Sequence, residues 1–297
     1  MCTAILSIQP GAPVLLAGVR DELVDRAWQP PGRHWPDYPG LIGGRDLQAG
    51  GTWLALAPEA KRVACVLNGR GRMAATDSRR SRGVLPLQAA VEGKLARAGL
   101  ADFDPFHLLS AEPGAATLWS WDGERLTDRE LPAGLHIVVN SGLDSDPRTG
   151  GEPGARGEPP CWEHGAERSA GWEDTAERPA GWENAAERPA GLEKTARDHE
   201  RARIAHFLPR LRAAARPASR PGSPVPQAWG SWLPLMNGDG LDPSDPRALI
   251  VRRDLGGGRI WGTTSISLVG LSEDGTRYDF NGRPGDPGAW YPVPLGL

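Results

Sequence analysis

The residue with the greatest chemical potential stands at position 2. In Met1-Cys2 the second side chain is small enough for methionine aminopeptidase to remove the initiator. Removal would leave a thiol and a free α-amino group on one residue. An α-amine titrates near ~8 and a thiol near ~8.5, so the amine can take the thiol proton directly or through a water. A second-position cysteine can equally be a buried thiol at a strand start, so its neighbours decide.

Arg20-Asp21-Glu22 is the first set of candidate neighbours. An arginine beside a thiolate favours the charged form, and a carboxylate can hold an ammonium through a charge-assisted bond. In isolation the tripeptide reads as a solvated turn. Asn68 and Asn140 each end an apolar run, Cys65-Val66-Leu67 and Ile137-Val138-Val139. An amide at a strand end can donate to an oxyanion, or it can simply open a turn. Gly50-Gly51-Thr52-Trp53-Leu54 lacks the spacing and the following helix of a phosphate cradle, which leaves close backbone packing as the reason for its glycines. The 6 histidines (34, 107, 136, 164, 199, 206) show no zinc-ligand spacing, and no G-x-S-x-G elbow is present. No metal or cofactor is expected.

Two strands must bring these residues together. Residues 3–8 are apolar without alternation, as in a strand covered on both faces, and 14–19 form a second such run. The Pro10-Gly11 turn between them predicts a hairpin that returns Arg20 and Asp21 to the side of Cys2. Further strands are expected at 52–57, 62–67, 117–121, 135–139, 248–253, 259–269 and 276–280, with helices at 86–98 and 197–215. Many strands with few helices favour an α+β layered fold over a βαβ pattern.

The 297 residues suffice for one large domain, 1–297, with no need of a metal or disulfide staple. A net charge of −3 gives no general attraction to nucleic acid or anionic lipid. Lysine occurs only at Lys61, Lys94 and Lys194 among many arginines, which with abundant Ala, Gly and Pro points to a GC-rich bacterial gene. Cys2, Cys65 and Cys161 form no C-x-x-C pair, an odd set that fits a reducing compartment. The start lacks a basic n-region and is interrupted by Pro10 and Pro13, so no signal peptide is read there. Val14 to Gly18 has a lipoprotein-like look, but Val19 stands where the lipidated cysteine would be. No apolar run approaches the length of a membrane span, and the expected location is the cytoplasm.

Residues 142–194 differ from the rest. From Cys161 onward they carry four near-copies of a ten-residue unit, Gly-Trp-Glu-x-x-Ala-Glu-Arg-Pro-Ala, with Trp172, Trp182 and Leu192 in successive units. Gly and Pro in each unit block a continuous helix, and ten residues is too short for a common solenoid repeat. A flexible surface insertion is expected, with a tryptophan-bearing interaction arm as the other reading. Residues 216–228 read as a Pro-rich loop.

Taken as an ordered set, these residues resemble the NRDE family, also called the transport and Golgi organisation protein 2 family. The set comprises Met1-Cys2, Leu16 to Glu22, Ala49 to Leu54, Asn68, Val139-Asn140 and Trp261-Gly262-Thr263-Thr264-Ser265. The likeness covers about 2–141 and 195–280. It implies a four-layer αββα sandwich of the N-terminal-nucleophile hydrolase type, near the cysteine branch that cleaves conjugated bile salts and penicillin V. It further implies Cys2 as nucleophile, Arg20 and Asp21 supporting thiol and amine, and Asn68 and Asn140 near the oxyanion or the amine. The chain departs from the family at Val19, which replaces the asparagine of the name motif, and at Thr263, in a span where many relatives carry arginine. The expected activity is hydrolysis of a linear amide through an acyl-enzyme, with a small-molecule substrate. The alternative is a non-enzymatic pocket protein for a lipid-like or haem-like metabolite.

Overall fold

The computed structural model describes residues 2–143 and 190–296, the side chains of the second stretch from residue 195 onward. Cys161 and the repeats up to residue 189 lie outside the described residues.

The first hairpin forms as its turn chemistry requires. β1 (Thr3–Ile8) and β2 (Val14–Leu23) pair antiparallel, with Thr3 opposite Val19 and Ile5 opposite Ala17. Gly11 supplies the left-handed turn residue at φ +70°, and the Ala12 amide donates to the Gln9 carbonyl at 3.2 Å. β1 shows no polar alternation because both of its faces are buried: Ala4, Leu6 and Ile8 on one, Ile5 on the other.

An eight-stranded sheet is built around that hairpin. Its order is β11 (Gly142–Leu143), β10 (Gly134–Val139), β1, β2, β13 (Ile260–Ser272), β14 (Gly275–Asn281) and β15 (Trp290–Pro292), with β12 (Arg252–Asp254) on β13. The second sheet has seven strands in chain order: β3 (Trp28–Gly32), β4 (Ile42–Asp46), β5 (Leu54–Ala57), β6 (Arg62–Asn68), β7 (Phe106–Glu112), β8 (Ala115–Trp121) and β9 (Leu126–Glu130). Every pairing between these strands is antiparallel.

Three apolar clusters show how the elements stack. One lies between the sheets and joins Leu6, Leu16 and Val269 to Leu54, Val63 and Leu109. A second covers the other face of the eight-stranded sheet with α2 (Ala190–Ala213), α3 (Val225–Trp229) and α4 (Trp232–Met236). The third packs α1 (Leu85–Glu92) onto the outer face of the seven-stranded sheet. α1 ends earlier than the expected 98, because Gly93 takes φ +71° and caps the helix. α2 buries Glu200, Arg203, Ile204, Phe207, Leu208 and Leu211 at the three- and four-residue spacing of one helical face, with His206 buried at its margin. Of the charged residues on that face, Arg203 reaches Thr3 at the start of β1, and Glu200 pairs with Arg70 at 3.1 Å.

Residues 216–224 carry no regular structure, but they are tied down. Arg216 donates to Ser7 and to the Pro13 carbonyl, and the Ser219 amide to the Ala228 carbonyl at 3.0 Å.

Candidate functional site

Cys2 precedes a central strand, so the strands on both sides reach it. From β10's end, Asn140 Oδ1 accepts a hydrogen bond from the Cys2 backbone nitrogen at 3.2 Å. From β2, the Asp21 carbonyl lies 3.8 Å from Cys2 Sγ, which donates to it. The hairpin thus returns the Arg-Asp pair to residue 2, as the sequence predicts. The thiol is half-buried against the inter-sheet cluster. It lines a cavity of about 20 Å³, shared with Arg20, Trp53, Leu54, Cys65 and Leu67. That is room for one water. Burial pushes the Cys2 thiol up, with the Asp21 and Glu22 carboxylates adding to the shift; the chain's terminal ammonium and the Asp21 carbonyl oppose it. Cys65 faces the same cavity, and burial together with the charge of Cys2 pushes its thiol up to about 12.

Strand alternation sends Arg20 and Asp21 to opposite faces. Arg20 turns between the sheets, where it is 4% exposed. Its guanidinium donates to Thr264 Oγ1 at 2.8 Å and Asp46 Oδ2 at 3.2 Å, and lies 4.5 Å over the Trp53 ring. Asp46 also accepts from Arg26 Nε at 2.6 Å and from the amides of Gln48 and Ala49. Burial would raise the Asp46 pKa, but the Arg26 and Ala49 hydrogen bonds and the two guanidinium charges hold it below the ordinary carboxylate value. Asp21 turns to the helix side. Its Oδ1 accepts from Thr263 Oγ1 at 2.7 Å, and its Oδ2 sits 3.6 Å from Arg203 Nη1 with no hydrogen-bond partner. Arg203 is fixed by Thr3 Oγ1 at 2.7 Å and the Ala248 carbonyl at 2.8 Å.

A β-bulge makes this two-sided arrangement possible. The register between β2 and β13 shifts between Thr263 and Ser265. Thr263 therefore meets Asp21 on one face and the next residue, Thr264, meets Arg20 on the other.

The two asparagines differ in placement. Asn140 is drawn in by Cys2 and also by His107, whose Nε2 donates to the Asn140 carbonyl at 3.3 Å. His107 Nδ1 is 2.8 Å from Ser120 Oγ, and burial lowers the pKa of the ring against the opposing pull of the Asn140 hydrogen bond and the Glu200 charge. Asn68 ends β6 as an exposed residue opposite Phe106, on the strand face away from Leu67 and the cavity. Nothing in the geometry joins its side chain to Cys2. Val19 packs into the helix-side cluster at 3% exposure, so that position adds apolar contact under α2–α4.

Several site residues carry no signal that sequence reasoning used for chemistry: Thr263, Thr264, Asp46, Trp53, His107, Arg203 and Arg82. The threonines and Trp53 stand inside noted motifs, but their roles come from the bulge and from stacking. Arg82 donates to the Pro105 carbonyl at 2.8 Å. Burial lowers its pKa, opposed first by Asp104 and then by Cys2, so it sits within the field of the thiol. The Gly51 backbone packs directly on Gly83, where an added Cβ would lie 2.5 Å from the Gly83 carbonyl carbon.

Among the described residues no group of three or more His, Cys, Asp or Glu side chains could hold a metal ion, and no helix is long and apolar enough to cross a membrane. Comparison with curated proteins found no match. The family model described as Transport and Golgi organisation 2 matches residues 1–163, more than half of the 297. A match of that extent, over the hairpin, the Gly-Gly-Thr-Trp turn and both asparagines, settles the kinship: this chain belongs to the Transport and Golgi organisation 2 family.

Proposed function

We propose that the chain, once Met1 is removed, is an N-terminal-cysteine hydrolase that cleaves a linear amide through an acyl-enzyme. One observation carries this reading. The nitrogen of Cys2 is held by Asn140 at 3.2 Å while its sulfur rests 3.8 Å from the Asp21 carbonyl, so two flanking strands orient both reactive atoms of one residue. The stacking of α2–α4, two facing sheets and α1 supports a four-layer αββα sandwich of the N-terminal-nucleophile type, with the nucleophile heading a central strand.

In this reading Cys2 Sγ attacks the carbonyl carbon of the amide. The thiol proton passes to the α-amine and from there to the leaving nitrogen as the C–N bond breaks. Water then cleaves the thioester, releasing the acid and restoring the thiol. Asn140 orients the amine. Asp21, ion-paired with Arg203 through Oδ2, adds negative charge near the amine, and Arg20 supplies a buried positive charge on the cavity it shares with Cys2. Removal of Met1 places the terminal charge on Cys2 itself, nearer the thiol, and lowers the thiol pKa from its raised value. The cavity of about 20 Å³ admits water but no acyl group, so the substrate must reach the thiol from outside it. The same small volume fits a lipid or haem carrier at this site less well than a hydrolase. The test is turnover of N-acyl amides of graded chain length by the processed protein. Release of amine that vanishes in Cys2→Ala supports the proposal; release that survives in Cys2→Ala overturns it.

A further inference from the structure

A second cavity lies at the other end of β1, away from Cys2. Its volume is about 420 Å³, within the roughly 300–1,000 Å³ usual for small-molecule sites. Ile8, Leu135, Leu211 and Trp232 provide apolar wall, and Ser7 and Arg216 stand at its polar side.

Arg216 is unusual for a half-buried guanidinium because all its partners are neutral. It donates to Ser7 Oγ, to the Ser7 carbonyl at 3.3 Å and to the Pro13 carbonyl. Its Nε is buried with no hydrogen-bond partner, and no carboxylate of the described residues pairs with it. Burial alone lowers its pKa, with no acidic group offsetting the shift. Trp232, 2% exposed, leaves its indole Nε1 unpartnered as well. A half-buried cation with no anion beside it, and with its Nε shut off from any acceptor, is left short of a partner. The missing group is an acceptor with negative charge. The apolar wall calls for a hydrocarbon body behind that group.

We propose that this cavity binds a small organic carboxylate with an aliphatic body, the carboxylate seated on Arg216 and the chain along Ile8, Leu135 and Leu211. The site is separate from the thiol, and the proposal does not depend on the hydrolase reading. A purely structural role for Arg216, clipping the end of α2 to the first hairpin, makes a different forecast.

The experiment is calorimetric titration of the full chain with sodium octanoate and, in parallel, 1-octanol. Saturable one-to-one binding of octanoate is expected, with octanol at least tenfold weaker, because a charge-assisted bond to the guanidinium is lost. Arg216→Gln is expected to weaken octanoate at least tenfold, and Cys2→Ala to leave it unchanged. Ala133→Trp fills the mouth from an exposed position without touching any Arg216 bond, and is expected to abolish binding. If Arg216→Gln does not fold, Ala133→Trp decides alone. Octanoate that does not saturate, octanol that binds equally well, or undiminished binding in folded Ala133→Trp overturns the proposal.

Discussion

Arg203→Met is the sharpest probe of how Asp21 is held. The pair is 3.6 Å apart, with side chains 2% and 0% exposed. At an effective dielectric of about 20, two unit charges at that distance attract by about 4 to 5 kcal/mol, and desolvation offsets much of this. Removing one partner of a buried pair strands the other charge, at a typical cost of about 3 to 5 kcal/mol. Here the loss also strips donors from Thr3 Oγ1 and the Ala248 carbonyl. Arg203→Met should therefore lower unfolding free energy in urea by about 3 to 5 kcal/mol, a large share of a usual total of about 5 to 15. Asp21→Asn alone should cost less, because Arg203 keeps two neutral partners. The double variant removes both charges and should fall short of the summed losses by about 1.5 kcal/mol or more. An Arg203→Met loss below about 1 kcal/mol, or strict additivity in the cycle, refutes the buried-pair account.

Four further outcomes follow from the same geometry. Iodoacetamide alkylation of Cys2 in Met1-retaining protein should have its pH midpoint above the ordinary thiol range, and Glu22→Gln should lower it, since a nearby carboxylate disfavours the thiolate. Asp46 has a depressed folded pKa, so its stabilising contribution is complete above the unfolded value of about 3.9 and is lost as pH falls through the folded one. Urea titrations should accordingly show a shallower loss of stability on acidification in Asp46→Asn than in the parent; an unchanged acid slope contradicts this. Gly51→Ala must push the Gly83 backbone aside and should cost about 1 to 3 kcal/mol, read as a lower urea midpoint. Thr264→Val removes an acceptor for Arg20 Nη1 and a donor to the Arg20 carbonyl, and should cost about 1 to 3 kcal/mol by the same measurement.

The hairpin was the most legible part of the molecule. Two apolar runs around Pro10-Gly11 give one register that buries both faces of β1, and that register alone places Arg20 and Asp21 beside Cys2. The strands that escaped notice are those whose local composition argues against a strand. β4 contains Gly43 and Gly44, glycines because a Cβ would lie 2.3 Å from the Leu54 carbonyl and 2.2 Å from the Trp53 ring, a reason visible only once β5 is in place. β7 carries His107, Ser110 and Glu112 among its apolar residues, and the histidine is polar because it must reach Asn140.

The site was legible where it is local and hidden where it is not. Cys2 and Asn140 are 138 residues apart yet bonded, because β10 happens to flank β1. Arg203, 182 positions beyond Asp21, comes from a helix whose face is set by packing; composition marks the helix but not which arginine turns inward. The Thr263–Thr264 division of labour depends on a bulge of one residue, a feature without a local sequence signature here. Asn68 shows the reverse case: its strand-end position was readable, but alternation directs it outward, away from Leu67 and the thiol.

The central claim, that a processed Cys2 is the nucleophile, is tested most directly by intact-mass and peptide mapping after brief exposure to an activated acyl ester. The account predicts a chain lacking Met1 that carries one acyl group as a thioester on residue 2, absent from Cys2→Ser under the same exposure. A chain that retains Met1, or an adduct that forms only at other residues, contradicts it.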